Sequence, residues 1–173
     1  MKNIKILFVI LSLTLIFSTV SFGQDVTFSG LGGESVSLQS QKGKIVVLAV
    51  GATWLPLSKN QVAITNKLSK KYAGRDVIIY FVATDSTTAK SKNFASNDDV
   101  QAFATRNKLT ASILRDSDGA ATLKRFKIDQ LPAFVIFDKE GKMVTEPFGG
   151  LTPTAEAEND LVLQISRRID LLL

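Results

Sequence analysis

The sequence predicts an α/β fold, with a central mixed β-sheet flanked by helices on both faces. Two continuous β-branched runs, residues 44–54 and 76–85, are typical of strands buried on both faces. A helical pattern lies between them, which predicts a right-handed crossover and therefore a parallel strand pair. Residues 131–148 have the signature of an antiparallel hairpin, and the two pairings together make the sheet mixed.

The N-terminal segment has the layout of a secretory signal peptide. Two lysines precede "ILFVILSLTLIF", which carries no charge, and small residues follow at Ser21 and Gly23. We predict cleavage after residues 1–23, leaving one domain, residues 24–173, in the periplasm or outside the cell. The alternative is an uncleaved anchor, although a spanning helix needs about 20 apolar residues.

Cysteine and histidine are absent from all 173 residues. Ser-His-Asp, Cys-His and His-ligated metal chemistry are therefore excluded, and we predict neither a metal nor a cofactor. Removing the two lysines of the signal leaves 19 basic against 16 acidic residues, so the formal charge falls from +5 to +3. Because the basic residues are scattered, we predict no nucleic-acid partner, and no membrane contact after signal cleavage.

The first half of the domain supplies four further elements. Residues 25–44 alternate around a Gly-rich break, which predicts a short strand and a hairpin-like entry. Residues 56–72 have apolar side chains near helical spacing. The small polar residues from Ser86 to Asn97 predict a surface loop, and we expect Asn97 or Asp98 to cap the helix that follows it.

The second half continues with a short strand, "SILRD", and the turn "SDG". Residues 120–128 are predicted to form a short helix, and the hairpin is expected to turn at Lys139 to Gly141. Thr152 and Pro153 are expected to cap and open the amphipathic C-terminal helix. Five aromatic side chains are assigned to the core: Phe81, Phe103, Phe126, Phe134 and Phe137.

The segment "GKIVVLAVGATWLPLSKNQV" resembles the approach to the redox motif of the thioredoxin superfamily. It is most similar to the exported TlpA/ResA-like thiol-disulfide oxidoreductases and to the redoxins of the AhpC/TSA type. Their strand ends in Ala-Thr/Ser-Trp-Cys-Pro-x-Cys. Three later segments also resemble these families: "VIIYFVATDS", "ILRDSDGAATLKRFKIDQLPAFVIFDKEGKMV" and "GGLTP". The resemblance extends over residues 24–173 and implies a thioredoxin-like fold.

The two redox positions depart from the family pattern. Trp54 and Pro56 match the motif, but Leu55 stands at the position of the attacking Cys and Ser58 at that of the resolving Cys. Thiol-disulfide exchange requires a thiolate that attacks a disulfide sulfur. Leu55 has no such atom, and Ser58 offers a hydroxyl with no His to accept its proton. We therefore predict no catalytic residue and expect the oxidoreductase activity of the family to be lost.

The same resemblance implies a groove for an extended peptide beside the cis-proline, because Leu131-Pro132 matches the cis-proline pair. We give the name "mouth" to the six residues predicted to bind there: Trp54, Leu55, Pro56, Leu57, Leu131 and Pro132. Main-chain pairing with a peptide needs no sulfur, and a clustered apolar surface typically marks a protein contact. The predicted function is a peptide- or protein-binding accessory module of the cell envelope.

Three alternatives stay open from the sequence. In the first, Leu55 packs into the core, so no apolar patch exists and the sequence does not indicate the function of the protein. A separate Cys-bearing protein could supply thiols for envelope redox homeostasis. An enzyme without cysteine would need carboxylates, for which the candidates are Asp85, Asp98, Asp99, Asp116 and Asp118; the last four also suit a helix start or a turn. The oligomeric state is not predicted.

Overall fold

A computed structural model describes residues 25–173 of the chain, and the signal peptide predicted over residues 1–23 lies outside them. The described residues form six strands and three α-helices. The strands are β1 (Thr27–Gly30), β2 (Ser35–Ser37), β3 (Ile45–Gly51), β4 (Val77–Ala83), β5 (Ser112–Arg115) and β6 (Ala133–Phe137). The helices are α1 (Ser58–Lys71), α2 (Asn97–Arg106) and α3 (Ala155–Asp170).

The six strands form one mixed sheet in the order β2-β1-β5-β4-β3-β6. β3 runs parallel to β4, with Ile45 opposite Val77, and β4 runs parallel to β5. β6 pairs with β3 in the antiparallel direction, as β1 does with β5. The predicted parallel pair and the predicted mixed sheet are both confirmed.

Alternate residues of the central strands enter two cores, one on each face of the sheet. All three α-helices pack on the face that receives Ile45, Val47 and Ala49 of β3. The opposite face is covered by the residue after β2 and by the segment after β5, which contribute Leu38 and Phe126. The five aromatic side chains assigned to the core are all buried, as predicted.

The short helix predicted over residues 120–128 is a series of turns instead. The carboxylate of Asp116 accepts the main-chain N–H groups of Ala121 and Thr122, at 2.8 and 2.9 Å. These amides belong to the first turn of the predicted helix, where N–H groups have no helical acceptor, so the carboxylate fixes the start of the segment. Lys127 also has a φ of 54°, in the left-handed region, which ends any helical run before Ile128. We predicted helices on both faces of the sheet, and on this second face the cover is turns and short 3-10 segments.

The second arm of the predicted hairpin is only partly a strand. It meets β6 at two isolated bridges, Phe137 with Met143 and Phe134 with Phe148. Pro147 lies between them and has no N–H to donate to a ladder. β6 therefore has a regular partner on the β3 side and an irregular cover on its outer side.

Two predicted helix caps were wrong in position. Ser96 caps α2, and it forms a capping box with Asp99 in place of the predicted Asn97 or Asp98. Thr154 caps α3, since its hydroxyl accepts the N–H of Ala157 at 3.2 Å. In both helices the cap is the hydroxyl residue with extended backbone directly before the first helical turn.

Among residues 25–173, no helix combines the length and the apolar character needed to cross a membrane.

Candidate functional site: the mouth at the sheet edge

The mouth lies at the edge where β3 ends and β6 begins. Val50 is opposite Ala133 in the antiparallel pair, so the chain leaving β3 and the chain entering β6 meet there. The peptide bond between Leu131 and Pro132 is cis, as expected. The topology thus brings the two predicted halves of the mouth to one edge of the sheet.

The apolar side chains of the mouth are unequally exposed. Trp54 has 54% of its surface exposed, and Pro56 is also exposed. Leu55 is half-buried and is not among the side chains packed against either core, so the alternative that turns Leu55 inward is not observed. The other three residues are more enclosed: Leu57 and Leu131 pack against the two cores, and Pro132 is buried.

Ser58, at the position of the resolving Cys, is the first residue of α1 and is fully buried. Its Oγ donates a hydrogen bond of 2.7 Å to the main-chain oxygen of Ala52. The residue before it, Leu57, supplies no side-chain cap to the helix. The hydroxyl therefore ties the start of α1 to the end of β3 and is held away from solvent.

Gln61 is a site residue that the sequence reasoning missed. Its side chain is fully buried, and its Nε2 donates to the main-chain oxygens of Val50 and Ala133, at 3.0 and 2.9 Å. One amide thus joins the two chain segments on which the mouth is built. A Cβ on Gly51 would overlap Oε1 of Gln61, so a larger residue there would displace this amide. The available signal was spacing, because Gln61 falls on the buried stripe of α1 with Leu68 and Tyr72.

Asp85, one of the enzyme candidates, holds the loop that carries Trp54. Its fully buried carboxylate accepts the N–H of Thr53 with both oxygens at 3.0 Å, and the Thr53 hydroxyl at 2.6 Å. The buried Arg115 lies close by, where its Nη2 donates to the main-chain oxygens of Asp85 and Ala95 at 3.3 and 2.8 Å. Burial lowers the pKa of Arg115, and the charge of Asp85 opposes that shift.

The remaining carboxylate candidates are also engaged in local structure. Asp116 is buried and accepts the hydroxyl of Thr122 at 2.6 Å, besides two main-chain amides. Asp118 accepts the hydroxyls of Ser86 and Ser117. Hydrogen bonds from Ser96 lower the pKa of Asp99, and Asp98 is exposed beside it in the first turn of α2. Within residues 25–173, no three metal-ligating side chains are grouped to hold an ion.

Comparison with known proteins places this site in a family. The model of the AhpC/TSA family matches residues 23–145. The thioredoxin-like protein YneN of Bacillus subtilis is 32% identical over 128 residues, covering 74% of this chain and 70% of YneN. The thiol-disulfide oxidoreductase ResA of Bacillus thuringiensis is 28% identical over 122 residues, covering 70% of this chain and 65% of ResA. The chain thus spans about two thirds of the length of these relatives.

Solved structures agree on the fold. A secreted disulfide oxidoreductase of Mycobacterium tuberculosis superposes with a TM-score of 0.62 at 20% identity, covering 82% of this chain and 94% of that one. The thioredoxin domain of a thiol-disulfide oxidoreductase from Bacteroides vulgatus gives 0.64 at 20% identity, covering 84% and 93%. The thioredoxin-like fold is confirmed. The chain belongs to the AhpC/TSA family, and it does so without a cysteine.

Proposed function

We propose that this chain is an exported accessory protein that binds an extended segment of an envelope protein at the mouth, without carrying out thiol-disulfide exchange itself. The observation that carries the proposal is the exposure of Trp54, with Leu55 and Pro56 beside it, at the edge where the family has its redox motif. A group of exposed apolar side chains on a protein surface favours a protein contact.

The main chain beside this cluster supports an extended ligand. Within residues 25–173, neither the N–H nor the C=O of Leu131 takes part in a main-chain hydrogen bond. An extended segment can pair with such free groups, while adjacent apolar side chains contact its side chains. Gln61 and Asp85 support the same arrangement, because they fix Ala133 and Thr53 on either side of the mouth.

The absence of sulfur chemistry supports a binding role over a catalytic one. A mixed disulfide cannot form on Leu55 or on Ser58, and the hydroxyl of Ser58 is engaged with Ala52. Export is supported by the signal-like residues 1–23 and by a structural neighbour that is described as secreted. The relatives named as thiol-disulfide oxidoreductases favour one second candidate, in which a Cys-bearing partner supplies the thiols.

Cross-linking in the native envelope tests the proposal. The chain is produced from its full-length coding sequence, and the native form is compared with Leu55→Asp and with the control Ala102→Asp. Ala102 is an exposed residue of α2 and lies outside the mouth. We expect one partner to be captured by the native form and the control, and to be lost with Leu55→Asp, because a carboxylate at position 55 must be desolvated on docking.

The captured partner is then purified, and its affinity for the three forms is measured by titration calorimetry. A partner with an accessible Cys pair that exchanges disulfides only in the presence of this chain would favour the second candidate. Equal capture by all three forms, each shown to be folded by circular dichroism, would contradict docking at the mouth.

A further inference from the structure

We infer that the outward side of α3 binds a second copy of this chain, with the two helices antiparallel. The surface, here called the α3 face, consists of Glu156, Asp160, Leu163, Gln164, Arg167 and Leu171. It shares no residue with the mouth, and the inference does not depend on the proposed function.

The six residues form one continuous stripe along the helix. At about 100° per residue, they fall within an arc of roughly 100° on the side away from the buried Ile165 and Ile169. All six are exposed, and two of them are leucines, Leu163 at 47% and Leu171 at 77%. An amphipathic helix on the surface of a sheet would ordinarily carry polar residues here. The stripe is therefore a mixed apolar and charged surface with no cover in the described chain.

Acidic and basic residues of the α3 face lie in opposite halves of the helix. Its acidic residues, Glu156 and Asp160, lie in the first half of the helix, and Arg167 lies in the second half. None of these three takes part in a salt bridge within the described residues, whereas Glu158 and Asp170 pair with lysines of α1. The helix dipole accounts for acidic residues first and basic residues last. It does not account for an exposed leucine between them on the same side.

An antiparallel second copy matches this pattern. When the two helices cross between positions 163 and 164, Asp160 faces Arg167 of the partner subunit, and the reverse pair forms by symmetry. These positions are seven residues apart, or about 10.5 Å along the axis, so the two ion pairs flank the contact made by Leu163. Such a two-fold interface is self-complementary, whereas a parallel arrangement would bring like charges together.

A groove beside α3 can receive Leu163 of the partner subunit. It has a volume of about 330 Å³ and is lined by Phe148, Gln164, Arg167, Arg168 and Leu171. The helix is about 24 Å long for its 16 residues, which gives a contact smaller than the roughly 800 Å² per partner of a standard stable interface. The dimer is therefore a weak one, which forms at high local concentration.

Charge reversal tests the pairing directly. The protein, produced from its full-length coding sequence and purified, is followed by sedimentation equilibrium from about 5 to about 500 μM, the range in which a weak complex dissociates. We expect the native form to show a monomer–dimer equilibrium. Asp160→Arg and Arg167→Asp should each weaken dimerisation at least about tenfold, because each places two pairs of like charges in the interface.

The decisive samples are the combinations. The double variant Asp160→Arg/Arg167→Asp should recover the native association, and an equimolar mixture of the two single variants should associate more strongly than either alone. Leu163→Gln should weaken dimerisation without altering charge, and Lys124→Asp, an exposed cation outside the α3 face, should leave it unchanged. A native form that stays monomeric throughout, or a double variant no better than the singles, would overturn the inference.

Discussion

At the scale of single residues, the mouth depends on buried polar side chains that join chain segments distant in sequence. Gln61 is the clearest case, because one amide group donates to the ends of both β3 and β6. Asp85 does the same for the loop before α1 through Thr53. The apolar residues of the mouth are exposed on a frame that these polar contacts hold in place.

We predict that Gln61→Met lowers the free energy of unfolding by about 1–3 kcal/mol, because the carbonyls of Val50 and Ala133 lose their donor in a buried place. Urea unfolding, monitored by circular dichroism, measures this change in the free energy of unfolding. Gln101→Met, at an exposed position of α2, is the matched control and should change stability by less than about 0.5 kcal/mol. Equal stability of the two variants would mean that the amide contributes nothing to holding the mouth.

The residues of the mouth that match the family motif were predictable from the sequence. The residues that support the mouth through contacts in the folded chain were not. Trp54, Pro56 and Pro132 follow from the resemblance, and the sequence also shows that Leu55 and Ser58 replace the cysteines. The partners of Gln61 lie 11 and 72 positions away along the chain. A polar residue on an apolar stripe indicates burial, but only the folded chain shows which carbonyls it meets.

At the scale of elements, hydrophobic periodicity predicted the long helices and the central strands, while local side-chain hydrogen bonds decided where several elements end. The turns after β5 illustrate this, since the carboxylate of Asp116 holds the amides of Ala121 and Thr122 at their start, and Lys127 ends them with left-handed backbone. The capping of α2 by Ser96 is a second instance, because four polar residues in succession each suit the cap and only the backbone selects one.

We predict that Ser96→Ala lowers the free energy of unfolding by about 1 kcal/mol, the usual contribution of a helix cap. The pH dependence of stability should change as well. Hydrogen bonds from Ser96 hold the pKa of Asp99 below that of an ordinary aspartate, so the stabilisation is present above the ordinary pKa and is lost as the pH falls through the lower folded value. The variant should therefore lose less stability than the native form when acidified from pH 5 to pH 2.

Urea unfolding at several pH values provides the measurement. Ser91→Ala, in the same loop but outside the capping box, is the matched control. An acid dependence that is the same for Ser96→Ala and the native form would contradict the assigned role of the capping box.

At the scale of the whole molecule, the class of fold was predictable, and the distribution of its layers was not. Two buried runs with a helix between them predict a parallel pair, and β3 and β4 are neighbouring parallel strands inside the observed sheet. The segment after β5 covers the second face with turns, which end in left-handed backbone at Lys127, and composition alone does not reveal this. Family membership likewise indicates the fold of the described residues but not the chemistry of the mouth.

We predict that Leu55→Cys/Ser58→Cys produces a redox-active dithiol, since Ser58 is the first residue of α1 and Leu55 lies three residues before it, and a helix N-terminus lowers the pKa of a nearby thiol. Reduction of insulin by dithiothreitol, with the variant as catalyst, measures the gain. The native form and the single variant Leu55→Cys should remain at the uncatalysed rate. A folded double variant that forms its disulfide yet stays inactive would show that the groove no longer accepts a disulfide substrate.

The position of Trp54 has a consequence for how this protein can be observed. It is the only tryptophan of the chain, and more than half of its surface is already in water. Its fluorescence should therefore change little on unfolding, so the indole is a poor reporter of stability. Docking of any ligand at the mouth would transfer the same indole to a drier environment and shift its emission to the blue. The emission of Trp54 can therefore report binding at the mouth without an added fluorescent label.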